Sequence, residues 1–415
     1  MITTSRPIDR CQVCNSKHLD SILFVGYIPP VNTMPAVGSV PVEEPTYPLE
    51  MLRCGNCGLV QIGLEVAPEV LFPENYPYLS GSTRILRSNF ADLRVESESL
   101  LKLVKSKFVI DIGSNDGTLL SNFHEAGYPV LGIEPSQAAD VAMSRGINTL
   151  KTYFTRDIAR KVASERGKAQ LITAANVFAH IGDIHSVVDG IVELLDENGV
   201  FVSESHYLLD LIDTIQYDTI YHEHLRYYSL SSLQYLLAAH GLEVFHIKRI
   251  PTHGGSIRVY AAPHGQRDIL PSVKEQLAEE ARRGLIDGSG LKDFRQRVIR
   301  SKSDLYELIA PIKRVGARIF GIGAPSRAST LINYVGIDDG ILDAVMEVSS
   351  SYKLNKYVPG TRIPVLDESL LFKEQPEYAL LLSWHIAEEL ACNLRKSGYK
   401  GKFITPLPVP RILDV

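Results

Sequence analysis

The chain has 415 residues, 45% hydrophobic and 22% charged, enough for two or three domains of roughly 150 residues that bury full cores without disulfides. Its 43 basic and 48 acidic residues leave a formal charge of −5, which argues against a nucleic-acid binder working through a broad basic surface. No stretch approaches the ~20 apolar residues of a membrane span, and the opening MITTSRPIDR lacks the apolar core of a secretory signal. The expectation is a cytoplasmic enzyme with no nucleic-acid or membrane partner.

Residues 1–72 form a first unit. Four of the five cysteines stand in two Cys-x2-Cys pairs, Cys11/Cys14 and Cys54/Cys57. Four thiolates suit tetrahedral Zn2+, and a reducing cytoplasm disfavours disulfides. The small and polar neighbours in CQVCNSK and CGNCGLVQ let backbone amides turn toward the sulfurs. A closed four-sulfur site leaves no position for substrate, so its expected role is in folding. Cys392, in the helical pattern AEELACNLRK, reads as a core residue.

Residues 73–265 alternate strands and helices. ENYPYLSGSTRIL (74–86) reads as a functional loop or hinge. Buried strands are expected at 108–112, 129–133, 170–173 and 198–203, and two β-rich runs follow at 242–249 and 255–262. This pattern implies a doubly wound, Rossmann-like parallel sheet. Residues 266–313 read as a helical connector with Leu291, Phe294, Val298, Leu305, Leu308 and Ile312 on one face. Residues 314–415 begin again with ARIFGIGAPSRAS and read as a second, smaller α/β unit.

The first glycine-rich turn is Asp111-Ile112-Gly113-Ser114-Asn115-Asp116-Gly117. It follows one strand and opens a helix, and Glu134 ends the next strand, where an acid accepts ribose hydroxyls. A dinucleotide site would favour Gly-x-Gly-x-x-Gly. Carboxylates inside the turn repel a pyrophosphate and suit a cationic, phosphate-free ligand such as S-adenosylmethionine. Asn176, just after the fourth strand, stands where a residue can face the reacting methyl. His180, in NVFAHIGD, comes close behind it and reads equally as structural or catalytic.

The segment after the fifth strand, SESHYLLDLIDTIQYDTIYHEHLRYYSL, concentrates Tyr221, His222, Glu223 and His224. On a strand the two histidines would share a face and could bind a metal; on a helix they would part. The other reading is acid–base chemistry, with His224 as base, Glu223 as its carboxylate partner and Tyr221 as a phenol that polarises an oxygen. The second glycine-rich turn, Gly321-Ile322-Gly323-Ala324-Pro325-Ser326-Arg327, reads as a diphosphate cradle with Lys353 and Lys356 nearby, or as a packing turn at a helix start. NAD is the competing ligand, but no ribose acid is evident after it. Trp384 lines the same cleft or belongs to the core.

These motifs together resemble the zinc-containing deoxysugar C-methyltransferases of antibiotic and surface-polysaccharide pathways. The resemblance spans almost the whole chain: both cysteine pairs, NYPYLSGST, IDIGSNDGT, GIEPS, NVFAHI, YHEH, PTHGGSIRVY, GIGAPSRAST, KLNKYVPGTRIPV and LLSWHIAEE. It implies an N-terminal zinc domain, a central methyltransferase domain and a C-terminal α/β domain. It implies methylation, by S-adenosylmethionine, of the carbon beside the ketone of a dTDP-4-keto-6-deoxy sugar, usually C3 and in some relatives C5. It assigns His224 as base with Glu223 as its partner, and puts Tyr76 and Tyr221 on the keto oxygen or nearby hydroxyls. Tyr78, His253, Gly323, Ser326, Arg327, Lys353, Lys356 and Trp384 are expected to bind the nucleotide sugar. His222 and Arg327 depart from the family, which often carries an acid and a lysine there. A zinc-bearing RNA methyltransferase and a sugar-nucleotide epimerase or oxidoreductase are the rival functions, and the chain is expected to be a monomer or a small homo-oligomer.

Overall fold

The computed structural model describes residues 4–71 and 79–414, so Tyr76 and Tyr78 lie outside the described residues. The first unit is built on antiparallel strands Leu19–Ile28, Tyr47–Cys54 and Val60–Ile62. Alternation along the middle strand buries Leu49 and Met51 under the sheet. The fourth strand of this sheet is Arg226–Tyr227, which pairs antiparallel with Gln61 and Val60. The sheet is therefore completed by residues far along the chain, immediately after the YHEH motif.

The central sheet has seven strands. Their order is Leu242–Ile250, Ser256–Pro263, Leu195–His206, Ala169–Ala175, Phe108–Ile112, Val130–Ile133 and Thr149–Leu150. The five strands from Leu195–His206 outward are parallel, whereas Ser256–Pro263 runs antiparallel to both its neighbours. The expected doubly wound parallel sheet is thus present in five strands and is extended by an antiparallel hairpin. The cause is the short Thr252–Gly254 turn, which can reverse the chain but cannot make the long crossover that a parallel pair needs. All strands expected from the apolar runs are present; Thr149–Leu150 is too short to leave a pattern.

The connector forms two helices, Pro271–Arg282 and Ser289–Arg314. Gly284 and Gly288 between them adopt φ of +69° and +81°, left-handed values that favour glycine. Leu291, Phe294, Val298, Leu305 and Ile312 are buried as the periodicity requires. Ile309, four residues after Leu305, continues the stripe, and Leu308 packs at its border.

The C-terminal sheet also has seven strands, in the order Lys356–Tyr357, Pro364–Asp367, Ala344–Glu347, Ile319–Ile322, Tyr378–Leu381, Lys402–Thr405 and Arg411–Leu413. Its five inner strands are parallel and both edges antiparallel. The chain order reverses beside Ile319–Ile322, and such a switch point places a crevice at the carboxyl ends of the strands. No helix among the described residues is long and apolar enough to cross a membrane.

Candidate active site and zinc centre

Cys11, Cys14, Cys54 and Cys57 place their four Sγ atoms within 4.8 Å of one another, with Cys11–Cys57 and Cys14–Cys54 at 3.4 Å. Zinc–sulfur bonds of ~2.3 Å in a tetrahedron hold sulfurs about 3.8 Å apart, so the cluster fits Zn2+. The backbone N–H groups of Val13 and Cys14 point to Cys11 Sγ and that of Asn56 to Cys54 Sγ. Such donors stabilise thiolate. The four cysteines form the chain's structural zinc site. Cys392 is exposed rather than buried.

The first glycine-rich turn closes over the ends of the first two central strands. Gly113 has φ +68°, its N–H donates to the Ile133 carbonyl at 2.8 Å, and a Cβ there would lie 2.2 Å from Val177 Cγ1. Glu134 accepts the N–H of Asn115 at 3.0 Å and of Ser136 at 2.9 Å, which fixes its carboxylate beside the turn. Asp111 is buried and accepts Thr173 Oγ1–H at 2.6 Å. Burial pushes its pKa up to about 7, aided by the nearby Glu134 and Glu204 charges and opposed by the Thr173 bond. Ser114 Oγ and Asn176 Oδ1 are buried with no partner among the described residues, and Asn176 sits at φ +58°. Unsatisfied buried oxygens around a glycine turn, next to two acids, fit the hydroxyls and ammonium group of S-adenosylmethionine.

Asp116 and Asn115 do other work. Asn115 Oδ1 accepts the Ser80 N–H at 2.8 Å. Asp116 accepts Ser80 Oγ–H, Gly81 N–H and Thr118 Oγ1–H, and pairs with Arg145 at 3.1 Å. A Cβ on Gly81 would fall 2.4 Å from Thr118 Oγ1. The two side chains thus tie the 80–82 turn against the mouth of the glycine-rich turn, and Asp116 also accepts the N–H of Thr118, the first residue of the helix Thr118–Glu125.

The YHEH segment is a turn, neither helix nor strand. Its two histidines go separate ways. His222 Nε2–H donates to the Pro48 carbonyl of the zinc unit at 3.3 Å. His224 Nδ1–H donates to the Thr219 carbonyl at 2.9 Å. Among groups of three or more candidate ligands in the described residues the cysteine quartet stands out, and the two histidines bond different carbonyls, which favours the acid–base reading over the metal-pair alternative. Glu223 accepts Asn32 Nδ2–H, from the zinc unit, at 2.6 Å. The Leu225 N–H donates to the Ala179 carbonyl, and Arg226 donates to the carbonyls of Phe178, Ile181 and Gly182. These bonds lock the NVFAHI segment to YHEH.

Around His224 the structure gathers Tyr221, His180 and His206, at ring-centroid distances of 4.2, 5.0 and 5.3 Å, and His253 stands 5.2 Å beyond His206. Burial pushes His224 down to about 3, with the neighbouring His180 adding to it, and pushes His180 and His253 to about 4. The imidazoles are neutral at pH 7. With its proton held on Nδ1, His224 keeps a lone pair on Nε2. His206, the last residue of the strand Leu195–His206, and Asn32 were missed in the sequence. His206 follows an apolar run without any motif, and Asn32 lies in an unpatterned loop of a different unit.

The second glycine turn repeats the geometry of the first. The Gly323 N–H donates to the Met346 carbonyl at 2.8 Å, with Gly323 at φ +79°. Glu347 ends the neighbouring strand and accepts the N–H of Ala324 at 2.7 Å and of Val348 at 3.0 Å. An acid does therefore follow this turn, contrary to the sequence reading, in the place Glu134 occupies in the central unit. Ser326 opens the helix Ser326–Val335, Lys353 Nζ–H donates to the Ala324 carbonyl at 2.5 Å, and Lys356 stands 5.1 Å from the Tyr352 ring. Arg327 departs from the cradle reading. It forks onto Asp218 with two bonds of 2.7 Å, and Trp384 Nε1–H donates to the same carboxylate at 2.7 Å.

A Rossmann-like unit with an acidic glycine-rich turn, a zinc unit and the polar YHEH turn that bonds to both are the features of an S-adenosylmethionine-dependent methyltransferase. Three family models match in register: a domain described as zinc binding over residues 11–72, a methyltransferase domain over 85–247, and a C-methyltransferase C-terminal domain over 251–408. The C-methyltransferase NovU of Streptomyces niveus is 34% identical over 99% of this chain and 98% of its own. Among solved structures, an S-adenosylmethionine-dependent methyltransferase from Clostridium acetobutylicum aligns over 45% of this chain and 94% of its own, at 15% identity and a TM-score of 0.35. The magnesium protoporphyrin IX methyltransferase of Synechocystis with bound S-adenosylmethionine aligns over 43% and 79%, at 13% and 0.32. The chain belongs to the zinc-containing C-methyltransferase family that includes NovU, and it is an S-adenosylmethionine-dependent C-methyltransferase.

Proposed function

We propose that the acceptor is the carbon, C3, beside the 4-keto group of a dTDP-linked 6-deoxy sugar, methylated in the cytoplasm during deoxysugar biosynthesis. The observation that carries this reading is the His224 ring, proton fixed on Nδ1 by the Thr219 carbonyl at 2.9 Å and faced by Tyr221 at 4.2 Å. Making a carbon nucleophile requires a base for a proton α to a carbonyl and a donor for the oxygen on which charge develops. His224 Nε2 takes the proton, and a positioned base contributes about 10²–10⁴-fold. The Tyr221 hydroxyl donates to the enolate oxygen. Glu223, whose carboxylate accepts Asn32 Nδ2–H, is the partner that the resemblance assigns to this base. His180 keeps the ring in place, and Tyr76 joins Tyr221 on the sugar. S-adenosylmethionine, when bound, supplies an electrophilic methyl on sulfur. Asp111, Gly113, Ser114, Asn115, Asp116, Glu134 and Asn176 hold and frame it.

The C-terminal turn takes the nucleoside diphosphate. Gly323 and Ser326 supply its backbone cradle, Lys353 and Lys356 its positive charge, and Glu347 an acceptor for a sugar hydroxyl. Tyr78 and His253 flank the hexose. The similarity between the two glycine turns favours a nucleoside ligand for each. The test is incubation with S-adenosylmethionine and a panel of 4-keto-6-deoxy sugars on dTDP, GDP and CDP. The expected product is heavier by one methylene, with NMR placing the new methyl on C3 of the dTDP sugar. Methylation of C5, or turnover of RNA and of no sugar in the panel, would replace this reading.

A further inference from the structure

Arg327, Asp218 and Trp384 form a buried cluster where the C-terminal unit meets the catalytic segment. Arg327 and Trp384 are each 7% exposed, and Asp218 is fully buried. Both nitrogens of the Arg327 fork bond Asp218, and the guanidinium lies 4.9 Å over the Trp384 ring. A guanidinium engaged in this way has spent its bidentate face on a carboxylate, and its charge is matched. That is a poor starting point for a diphosphate ligand.

The cluster grips the stretch of backbone that sets the base. Asp218 is followed by Thr219, whose carbonyl receives the His224 Nδ1 proton, and Tyr227 O–H donates to the same carbonyl at 3.4 Å. Thr330, one turn along the helix from Arg327, donates to the Ile220 carbonyl at 3.1 Å. Arg327 also donates to Gln216 Oε1 at 3.2 Å, and Gln216 Nε2–H donates to the Gly254 carbonyl at 2.7 Å, next to His253. One helix start in the C-terminal unit therefore holds residues 216, 218 and 220, and through them both the His224 and the His253 turns.

We infer that Arg327 is a positioning residue, and that the Arg327–Asp218–Trp384 cluster fixes the tautomer and orientation of His224 from the C-terminal unit. A carbonyl displaced by even an ångström loses its hold on Nδ1, and a misplacement of that size costs about 10²-fold in rate. The Arg327 charge also faces His206, His224, His253 and His385 and disfavours their protonated forms. Removing it without removing Asp218 leaves a buried, unmatched anion that bears on His385.

The inference rests on His224 being the base, but its test does not require the acceptor to be known. Long-range nitrogen–proton NMR of histidine-labelled protein reads the His224 tautomer, assigned by the signal lost in His224→Asn. Wild type shows the Nδ1–H form. Arg327→Met, Asp218→Asn and the double variant are expected to show mixed tautomers, with S-adenosylmethionine affinity unchanged and the double variant no worse than the singles. With an acceptor in hand, kcat drops about 10²-fold while the acceptor KM holds. Arg327→Lys keeps the charge, loses the fork and falls between, and it replaces Arg327→Met if that variant does not fold. A wild-type tautomer in Arg327→Lys and Asp218→Asn overturns the inference, even where His224→Asn abolishes turnover. So does a raised acceptor KM at unchanged kcat, which marks Arg327 as a substrate ligand.

Discussion

Removing the zinc site should disable the base proposed at His224 without touching the methyl donor's site. The zinc unit reaches the YHEH turn through identifiable bonds. The Ile62 N–H donates to the Leu225 carbonyl at 3.1 Å, His222 donates to the Pro48 carbonyl, and Asn32 donates to the Glu223 carboxylate. Two neutral bonds and one to a charged group are together worth about 2.5–6 kcal/mol. A structural zinc site contributes about 10–16 kcal/mol of binding energy, as much as the whole 5–15 kcal/mol stability of an ordinary domain. The unit therefore unravels without metal, and all three bonds go with it. Even half of their energy expressed in the transition state lowers turnover by about 10–100-fold. Asp111, Glu134 and Asn176 stand on the central sheet, so S-adenosylmethionine affinity stays near wild type. The assay is Cys54→Ser/Cys57→Ser, with zinc measured by mass spectrometry, cofactor affinity by calorimetry and methyl transfer by product mass. A zinc-free variant with wild-type turnover would refute the coupling.

Three further outcomes are expected. Glu134→Gln keeps one acceptor for the turn's N–H groups but loses the charge, and should weaken S-adenosylmethionine binding by about 10-fold, a charge-assisted bond being worth ~1.5–3 kcal/mol; an unchanged dissociation constant would remove Glu134 from the site. Gly113→Ala forces a side chain into a left-handed conformation 2.2 Å from Val177, so it should lower both cofactor affinity and thermal stability, and a variant wild-type in both would contradict the packing described. His180, His224 and His253 have folded pKa values of about 4, 3 and 4, below the ~6.5 of an unfolded chain. Their contribution is complete above pH 6.5 and is lost as pH falls toward 4. Near pH 5 unfolding should take up about three protons at these rings, a slope of about 4 kcal/mol per pH unit; His222 and His385, each at about 4, add to it, and Asp111, held up at about 7, subtracts about one proton. Denaturant titrations between pH 6.5 and 4.5 measure it, and a flat profile would mean the rings are not buried as neutral groups.

How much of this was legible in the sequence follows from what each signal depends on. The strands at 108–112 and 129–133 and the turn between them are local: apolar runs, a glycine that must take positive φ, and an acid at the next strand end. The cysteine pairs are likewise self-announcing, because two Cys-x2-Cys pairs need nothing else to be read. The connector stripe was visible through its period, though its division into two helices required Gly284 and Gly288 to act as a break. Bonds between distant segments were not readable. Nothing in PPVNT says that Asn32 will meet Glu223, and nothing in IYHEH says that His222 will turn toward the zinc unit and His224 away from it. Arg327 was placed by its neighbours in sequence, in a glycine turn that looks like a phosphate cradle, whereas its position in space is set by Asp218 more than a hundred residues earlier. Glu347 was overlooked because its strand reads as an apolar run with one acid near its end. Only the bond to Ala324 shows that this acid faces the turn.

The central claim, that His224 removes a proton beside a sugar ketone, has a direct measurement. The enzyme is mixed in heavy water with a dTDP-4-keto-6-deoxy sugar and S-adenosylhomocysteine, which fills the donor site but has no methyl to give. Proton NMR then follows the hydrogen on C3. The account predicts that deuterium enters C3 with the wild-type enzyme and that His224→Asn slows the exchange by about 10²–10⁴-fold. Exchange at the wild-type rate in His224→Asn, or exchange confined to another carbon, would contradict it.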